Sequence, residues 1–261
     1  MSVGPELSPA PAGIVYSCSG ERYVREALRS ARSSLRHNRL PHVLFCSAEL
    51  ESEPGLTIAP FEPSANPYVD KIANMRRSPF ERTIYLDSDT YVVAEIAHVL
   101  ELLDRFEIAA AHAPGYRGFA DPQVPAAFYE LNTGVLAWRS SDRIDAFMRD
   151  WQETYSRWLE EKPFVGAGSA ADAADQPAFR RCAWEHEVAL YVLAPEYNLR
   201  LGEPATIVER VRVLHGRSTD YDALAARLDR RRGPRTYTPS RALAATVADG
   251  LALALAGRRA R

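Results

Sequence analysis

Lysine is almost missing from this chain: of 32 basic residues only Lys71 and Lys162 are lysines. The rest are arginines, and with a formal net charge of -2 no global positive field favours nucleic acid. Cysteine is scarce too. Cys18, Cys46 and Cys182 are scattered and lack metal spacing, which excludes a disulfide framework and points to a reducing, cytoplasmic setting. No apolar run is long enough to span a bilayer, so no transmembrane segment is expected. The Pro-rich stretch Met1 to Gly13 lacks the basic-then-apolar pattern of a secretory signal. A glycine-rich phosphate loop is also absent; Ser17-Cys18-Ser19-Gly20 is a poor substitute for one after the first strand.

What is present suffices for one large domain. The chain has 261 residues, of which 46% are hydrophobic and 25% charged, as in an ordinary globular protein with a sizeable core. Residues 1–12 read as a flexible arm. Gly13–Cys18 reads as a buried strand, and Ser19 is placed to cap a helix whose apolar positions Val24, Ala27, Leu28, Ala31 and Leu35 recur at helical spacing. His42–Cys46 is a second strand, so the start of the chain is a βαβ unit. Residues 48–68 look irregular. A helix is expected from Val69 to Arg77 and a strand at Thr83–Leu86. A further helix carries Ile96, Val99, Leu100 and Leu103, and a strand follows at Ile108–His112. The loop 113–126, rich in Pro and Gly, has the make-up of a functional or mobile segment. A strand at Gly134–Trp138 precedes a helix over 142–160. Residues 164–174 are a small-residue loop of the kind that forms a lid. A helix at 176–185, strands near 188–193 and 207–214, and helices near 221–231 and 241–256 complete the pattern. The expected class is α/β, with helices flanking a mostly parallel sheet and late antiparallel additions.

Four polar clusters fall at strand ends or helix starts, where open α/β sheets place ligands. They are Asp87-Ser88-Asp89, Asn132-Thr133-Gly134, Asp175-Gln176-Pro177 and His215-Gly216-Arg217. The acid pair directly follows the apolar run Ile84-Tyr85-Leu86. Strand alternation would send both carboxylates to one side, and a hard divalent cation is the simplest relief of their repulsion. Each cluster also has a plainer reading. Asp175 suits an N-cap with Pro177 in the first turn, Asn132-Thr133-Gly134 suits a turn, His215 suits a structural histidine, and Lys71 suits a solvated helix charge.

Taken in order, these residues resemble the glycogenin-like and bacterial galactosyltransferase-like enzymes, which are retaining glycosyltransferases of the GT-A fold that use nucleotide-sugar donors. The resemblance runs from the first strand to about residue 218. It implies a Rossmann-like GT-A catalytic domain over residues 13–218, with 219–261 as a C-terminal helical extension. It also implies donor contact by Lys71, sixteen residues before Asp87, and matches Asn132-Thr133-Gly134, Asp175-Gln176 and the metal-binding His215 to the family's motifs. The chain departs from the family after His215. Gly216 follows at once, and the family's Lys-Pro-Trp is replaced by no lysine at all, which leaves Arg217 to meet the diphosphate.

The same residues carry a physical reading. A cation (Mn²⁺, or Mg²⁺) held by Asp89 and His215, with Asp87 bridging metal and ribose, would neutralise a departing nucleoside diphosphate. Lys71 and Arg217 would add positive charge. Asn132 and Asp175 would bond sugar hydroxyls, with Asp175 or Gln176 near the anomeric carbon as the catalytic candidates. The backbone of Tyr16, Ser17 and Cys18 would face the nucleobase. The expected donor-binding set is thus Tyr16, Ser17, Cys18, Lys71, Asp87, Ser88, Asn132, Thr133, Gly134, Gly216 and Arg217, and the metal set Asp87, Asp89 and His215. The acceptor is not readable. An Asp-x-Asp phosphatase or phosphotransferase, a sugar nucleotidylyltransferase and an inactive sugar-nucleotide binder are the competing readings. The stripe Leu243, Val247, Leu251 and Leu255 near the C-terminus suits packing on its own domain, with a homodimer contact or a weak membrane foot as alternatives.

Overall fold

The structure, a computed structural model, describes residues 9–113, 121–161 and 174–239. The centre of the expected 113–126 loop, nearly all of the 164–174 lid, the 241–256 helix and most of the N-terminal arm lie outside the described residues. The elements in chain order are β1 (Ala10–Cys18), α1 (Glu21–Leu35), β2 (His42–Cys46), β3 (Leu56–Pro60), α2 (Pro67–Arg76), β4 (Phe80–Leu86) and β5 (Thr90–Val92). A 3₁₀ helix, Ala97–Asp104, leads to β6 (Ile108–His112), β7 (Leu131–Arg139), α3 (Asp142–Glu161), α4 (Gln176–Glu185) and β8 (Leu190–Leu193). The chain continues through β9 (Leu199–Arg200), β10 (Ala205–Ile207), β11 (Val213–His215), α5 (Tyr221–Leu228) and β12 (Arg235–Tyr237).

Among the described residues the main sheet has seven strands in the order β3-β2-β1-β4-β7-β6-β8. Only β7 opposes its neighbours; β3, β2, β1 and β4 are parallel, as are β6 and β8. The fold is therefore the expected mixed, mostly parallel α/β sheet. Its antiparallel member, β7, comes in mid-chain, and β8 is parallel to β6, while the late antiparallel pairings expected, β11 with β5 and β10 with β12, lie in two smaller sheets. Alternation along the strands divides the interior. Ile14, Tyr16, Ile84 and Leu86 face the core under α1 and the 3₁₀ helix, while Val15, Tyr85, Leu136 and Trp138 face the core under α2, α3 and α4. The chain departs from β1 to one side through β2 and to the other through β4, so the sheet's switch point lies between β1 and β4.

Several boundaries differ from the sequence reading. β1 begins at Ala10, because Ala10 N–H donates to Pro79 O and pairs with Phe80, so the expected arm loses its last three residues to the sheet. Residues 48–68 contain an edge strand, β3; Pro60 is tolerated at its end, on an edge. The residue before α1 is Gly20 at φ +85°, and no side chain caps that helix, so Ser19 does not serve as its cap. Asn66 does cap α2, accepting from the N–H groups of Tyr68 and Val69 ahead of Pro67 at the first turn. The helix expected over 96–103 is 3₁₀, and the single strand expected near 207–214 is two short ones, β10 and β11.

A second, three-stranded sheet, β5-β11-β9, sits beyond β4 and carries the end of the site. It is held against α1 by serines: Ser33 Oγ accepts from Val92 N–H at 2.9 Å, and Ser30 Oγ bonds Thr90 Oγ1 at 2.7 Å. Tyr221 of α5 stacks on Tyr91 at 4.5 Å between centroids, so this helix closes a third apolar cluster around β5, β9 and β11. No helix among the described residues is long and apolar enough to cross a membrane.

Candidate metal and sugar-nucleotide site

β4 stops at Leu86 and the chain turns at once. Asp87 N–H donates to Gly134 O on β7 at 2.8 Å. Thr90 N–H and Oγ1 both donate to Asp87 O, at 3.1 and 2.8 Å. Asp87 and Asp89 therefore converge because they flank a tight turn, not because they alternate along a strand; Ser88 lies in that turn. β11 pairs antiparallel with β5 so that His215 stands opposite Thr90, and Gly216 N–H donates to Asp89 O at 2.9 Å. Gly216 has φ +121°, and its turn points the chain back toward α1. As a result His215 Nε2 lies 3.3 Å from Asp89 Oδ1 and 3.8 Å from Asp87 Oδ2. His215 is thereby brought to the acid pair from far along the chain.

Ligand atoms of Asp87, Asp89 and His215 all lie within 4.8 Å of one another. Two carboxylate oxygens and an imidazole nitrogen are a fitting donor set for a divalent cation. The cradle is closed behind them by Gly134: a Cβ there would collide with His215 Cε1 and lie 2.5 Å from Asp87 Oδ2. Burial alone would raise the Asp89 carboxyl, but His215 and Arg217 outweigh it and hold it well below the usual range.

Lys71 is not a solvated helix charge. Its Nζ lies 3.2 Å from Asp87 Oδ1, 3.2 Å from Asp175 Oδ2 and 3.1 Å from Thr133 Oγ1. The ammonium donates to the Thr133 hydroxyl and pairs with two carboxylates at once. Lys71 thus stands at the site by a grip on two acids, Asp87 and Asp175. Burial would lower the Lys71 pKa, but Asp175 and Asp87 more than compensate and raise it. Asp175 stands at the N-cap position of α4 with Pro177 in the first turn, as expected, but its side chain makes no capping hydrogen bond. Its carboxylate accepts from Thr133 Oγ1 at 2.9 Å, and burial raises its pKa against the pull of Lys71. Tyr85, two residues before Asp87, donates its hydroxyl to Asp87 Oδ1 at 2.9 Å.

Asn132 and Gln176 complete the buried part. Asn132 Nδ2 donates to Gln176 Oε1 at 2.5 Å, and Gln176 Nε2 donates to Glu130 Oε1 at 2.9 Å. Arg217 closes the open side: Nε and Nη2 make two 2.8 Å bonds to Glu26 on α1, and Nη1 lies 3.8 Å from Asp89 Oδ2. Exposure sorts these groups by what can meet a ligand. The side chains of Lys71 and Asp175 are 5% and 3% exposed, against 26%, 22% and 36% for Asp87, Asp89 and Arg217.

On β1, Ser17 Oγ accepts from Asn74 Nδ2 of α2 at 3.0 Å, one turn beyond Lys71. The side chains of Tyr16 and Cys18 belong to the core under α1, so only their backbone reaches the carboxyl edge of the sheet. The structure thus brings Lys71, Asp87, Asp89, the Asn132-Thr133-Gly134 run, Asp175, Gln176, His215 and Arg217 into one network, with Tyr16–Cys18 on the neighbouring strand end. Sequence reasoning missed Tyr85, Glu130, Asn198 and Glu26. Strand alternation was a usable signal for Tyr85 and Glu130, which stand two residues before Asp87 and Asn132. Nothing local marks Asn198 or Glu26.

No protein-family model matches the chain, and no curated protein matches it in sequence. Solved structures do. The chain is similar to a glycosyltransferase of Streptococcus pneumoniae, GlyE, with a TM-score of 0.54 and 17% identity over 80% of this chain and 56% of that one. It is also similar to an active-site mutant of LgtC, with a TM-score of 0.54 and 12% identity over 81% of this chain and 92% of that one. The chain spans little more than half the length of the pneumococcal protein. The fold is that of GT-A glycosyltransferases.

Proposed function

We propose that this chain is a metal-dependent glycosyltransferase. It would move a sugar from a nucleoside diphosphate, UDP first among them, to a hydroxyl-bearing acceptor. The observation that carries this reading is the meeting of Asp87, Asp89 and His215 at the carboxyl edge of a GT-A-like sheet, beside the switch point. A divalent cation bound there supplies the Lewis acid that a departing diphosphate needs, and the imidazole in the donor set favours Mn²⁺ over Mg²⁺. Arg217, whose Nη1 side is free of Glu26, meets the same diphosphate and stands in for the missing lysine of the resembled family. Lys71 acts through the acids: its ammonium, 3.2 Å from each, holds Asp87 and Asp175 in place. Asn132 and Gln176 address sugar hydroxyls and the anomeric centre, and the Tyr16–Cys18 backbone addresses the base. Retention follows from the resemblance in motif order. A cytoplasmic setting is in keeping with Cys18, Cys46 and Cys182, all buried and unpaired.

The test is thermal. UDP with Mn²⁺ at a hundredfold excess over Kd stabilises by about 2.7 kcal/mol, a rise of about 5 to 10 °C for a chain of this size. Asp89→Ala abolishes the rise, and a panel of nucleotide sugars with Mn²⁺ shows slow nucleotide release by the wild type. Absence of any shift with nucleoside diphosphates sinks the reading. Phosphate release from simple monoesters without nucleotide dependence moves it to a phosphatase.

A further inference from the structure

Behind the cradle runs a chain of hydrogen bonds with a single direction. His215 Nδ1 bonds Asn198 Oδ1 at 2.8 Å, and Asn198 Nδ2 donates to Asn132 Oδ1 at 2.8 Å. From Asn132 the chain continues through Gln176 to Glu130. Asn132, Asn198, Gln176 and Glu130 are all buried.

The polarity of this chain is fixed by one group that cannot flip. Gly134 N–H, a backbone donor, also points at Asn132 Oδ1, at 3.0 Å. That atom must then be the oxygen of Asn132, and the atom of Asn198 facing it must be nitrogen. Asn198 therefore turns its oxygen to His215, an acceptor that only a protonated Nδ1 can satisfy. In the neutral imidazole this leaves the lone pair on Nε2, the nitrogen that faces Asp89 and Asp87. In the other direction, Asn132 turns its nitrogen to Gln176, so Gln176 accepts there with Oε1 and must donate from Nε2. Glu130 Oε1 takes that donor.

We propose that Asn198 and Glu130 are positioning residues for the two halves of the site. Asn198 holds His215 in the Nδ1–H tautomer with Nε2 open toward the cation, and Glu130 holds the Gln176 amide with its nitrogen outward from Asn132. The functional meaning rests on the glycosyltransferase reading above; the tautomer and the amide orientation do not. A histidine ligand held by such an outer partner usually loses affinity for its metal by about 10–100-fold when the partner is removed. The burial that keeps Glu130 in reach of Gln176 also pushes its carboxyl up to about 8, so the end of the chain stays uncharged through neutral pH.

The experiment uses the full chain, metal-free, at alkaline pH, with ¹⁵N-labelled histidine and glutamine. Long-range ¹H–¹⁵N spectra, assigned by loss of signal in His215→Gln, should show His215 protonated on Nδ1 in the wild type. Asn198→Leu should move the proton to Nε2 and weaken Mn²⁺ binding by about 10–100-fold in calorimetric titration. Asn198→Asp, which keeps an acceptor for Nδ1–H, should retain the tautomer. The Gln176 side-chain N–H groups should exchange slowly in the wild type and in Glu130→Gln, and fast in Glu130→Leu. A wild-type His215 protonated on Nε2 overturns the proposal whether or not any variant folds, and so does a Gln176 amide indifferent to Glu130→Leu. The expected tautomer together with no binding of Mn²⁺ or UDP–Mn²⁺ would sustain the positioning and remove the glycosyltransferase reading. Mn²⁺ binding with the opposite tautomer would do the reverse.

Discussion

A methyl group at Gly134 would have to displace the imidazole of His215 or the carboxylate of Asp87, because both lie within its reach and Asn132 Oδ1 stands 3.0 Å away on the third side. The neighbours are themselves tied down, His215 by Asn198 and Asp87 by Lys71 and Tyr85. Gly134→Ala should therefore cost about 1–3 kcal/mol as an overpacked site and abolish Mn²⁺ binding; wild-type stability with wild-type Mn²⁺ titration would show the cradle to be looser than drawn. Lys71 argues the same way from charge. Removing its ammonium leaves two carboxylates, one of them almost fully buried, facing each other without a partner. Lys71→Met should destabilise by about 3–5 kcal/mol, read by urea unfolding. Lys71→Met with Asp175→Asn should recover part of the loss, since the second change removes the buried charge that was stranded. If the double variant is no better than the single one, the pairing with Asp175 is not what holds Lys71.

At the scale of elements, the site exists because β5 is pinned between α1 and β11. Thr90 is the pin: its hydroxyl donates to Asp87 O and bonds the buried hydroxyl of Ser30, while its backbone stands opposite His215. Thr90→Val keeps the shape but strands both groups, and should cost about 1–3 kcal/mol. Ser30→Ala combined with it should cost clearly less than the sum of the two, by about 0.5 kcal/mol or more. Strict additivity in a double-mutant cycle would deny the contact. How legible such things are in the sequence depends on range. The βαβ start, α3, α4 and the acid pair at the end of β4 were readable because periodicity and strand ends are local signals. β3 was not, since its five residues sit among prolines and gain strand character only by pairing with β2. The convergence of the acids was foreseen for the wrong reason: the turn is set by bonds from Gly134 and Thr90, which no strand pattern reveals. Lys71 was placed beside the acids by its spacing from Asp87, but its ion pair with Asp175 was not foreseen, since Asp175 lies far along the chain. Asn198 and Glu26 were invisible, because the side-chain partners of Asn198 are 17 and 66 positions away and that of Glu26 at the site, Arg217, is 191 away.

At the scale of the whole molecule, the sheet separates a ligand-bearing carboxyl edge from an amino edge that only supports it, and a buried titratable group on each makes the division measurable. His42 opens β2 at the amino edge, bonded to Leu40 O and Ser34 Oγ, and burial lowers its pKa to about 4 against the weaker pull of the Leu40 carbonyl. Glu130, near the carboxyl edge, is raised by burial to about 8 despite its bond to Gln176. The two act on stability with opposite sign. Between about pH 4 and 6.5 the unfolded chain protonates His42 while the native state does not, so this group makes stability rise with pH, by up to about 1.4 kcal/mol per pH unit. Between about pH 4.5 and 8 the native state keeps the Glu130 proton that the unfolded chain has released, so this group makes stability fall with pH by a similar slope. Over their shared window the two largely cancel. His42→Gln should therefore tilt the pH–stability curve downward with rising pH below about 6.5, and Glu130→Gln should tilt it upward across about pH 4.5–8, each measured by urea unfolding at several pH values. His42→Gln should leave Mn²⁺ affinity untouched, because nothing it bonds reaches the cradle. Curves for both variants parallel to the wild type would mean that neither group keeps its buried, neutral form in the native protein.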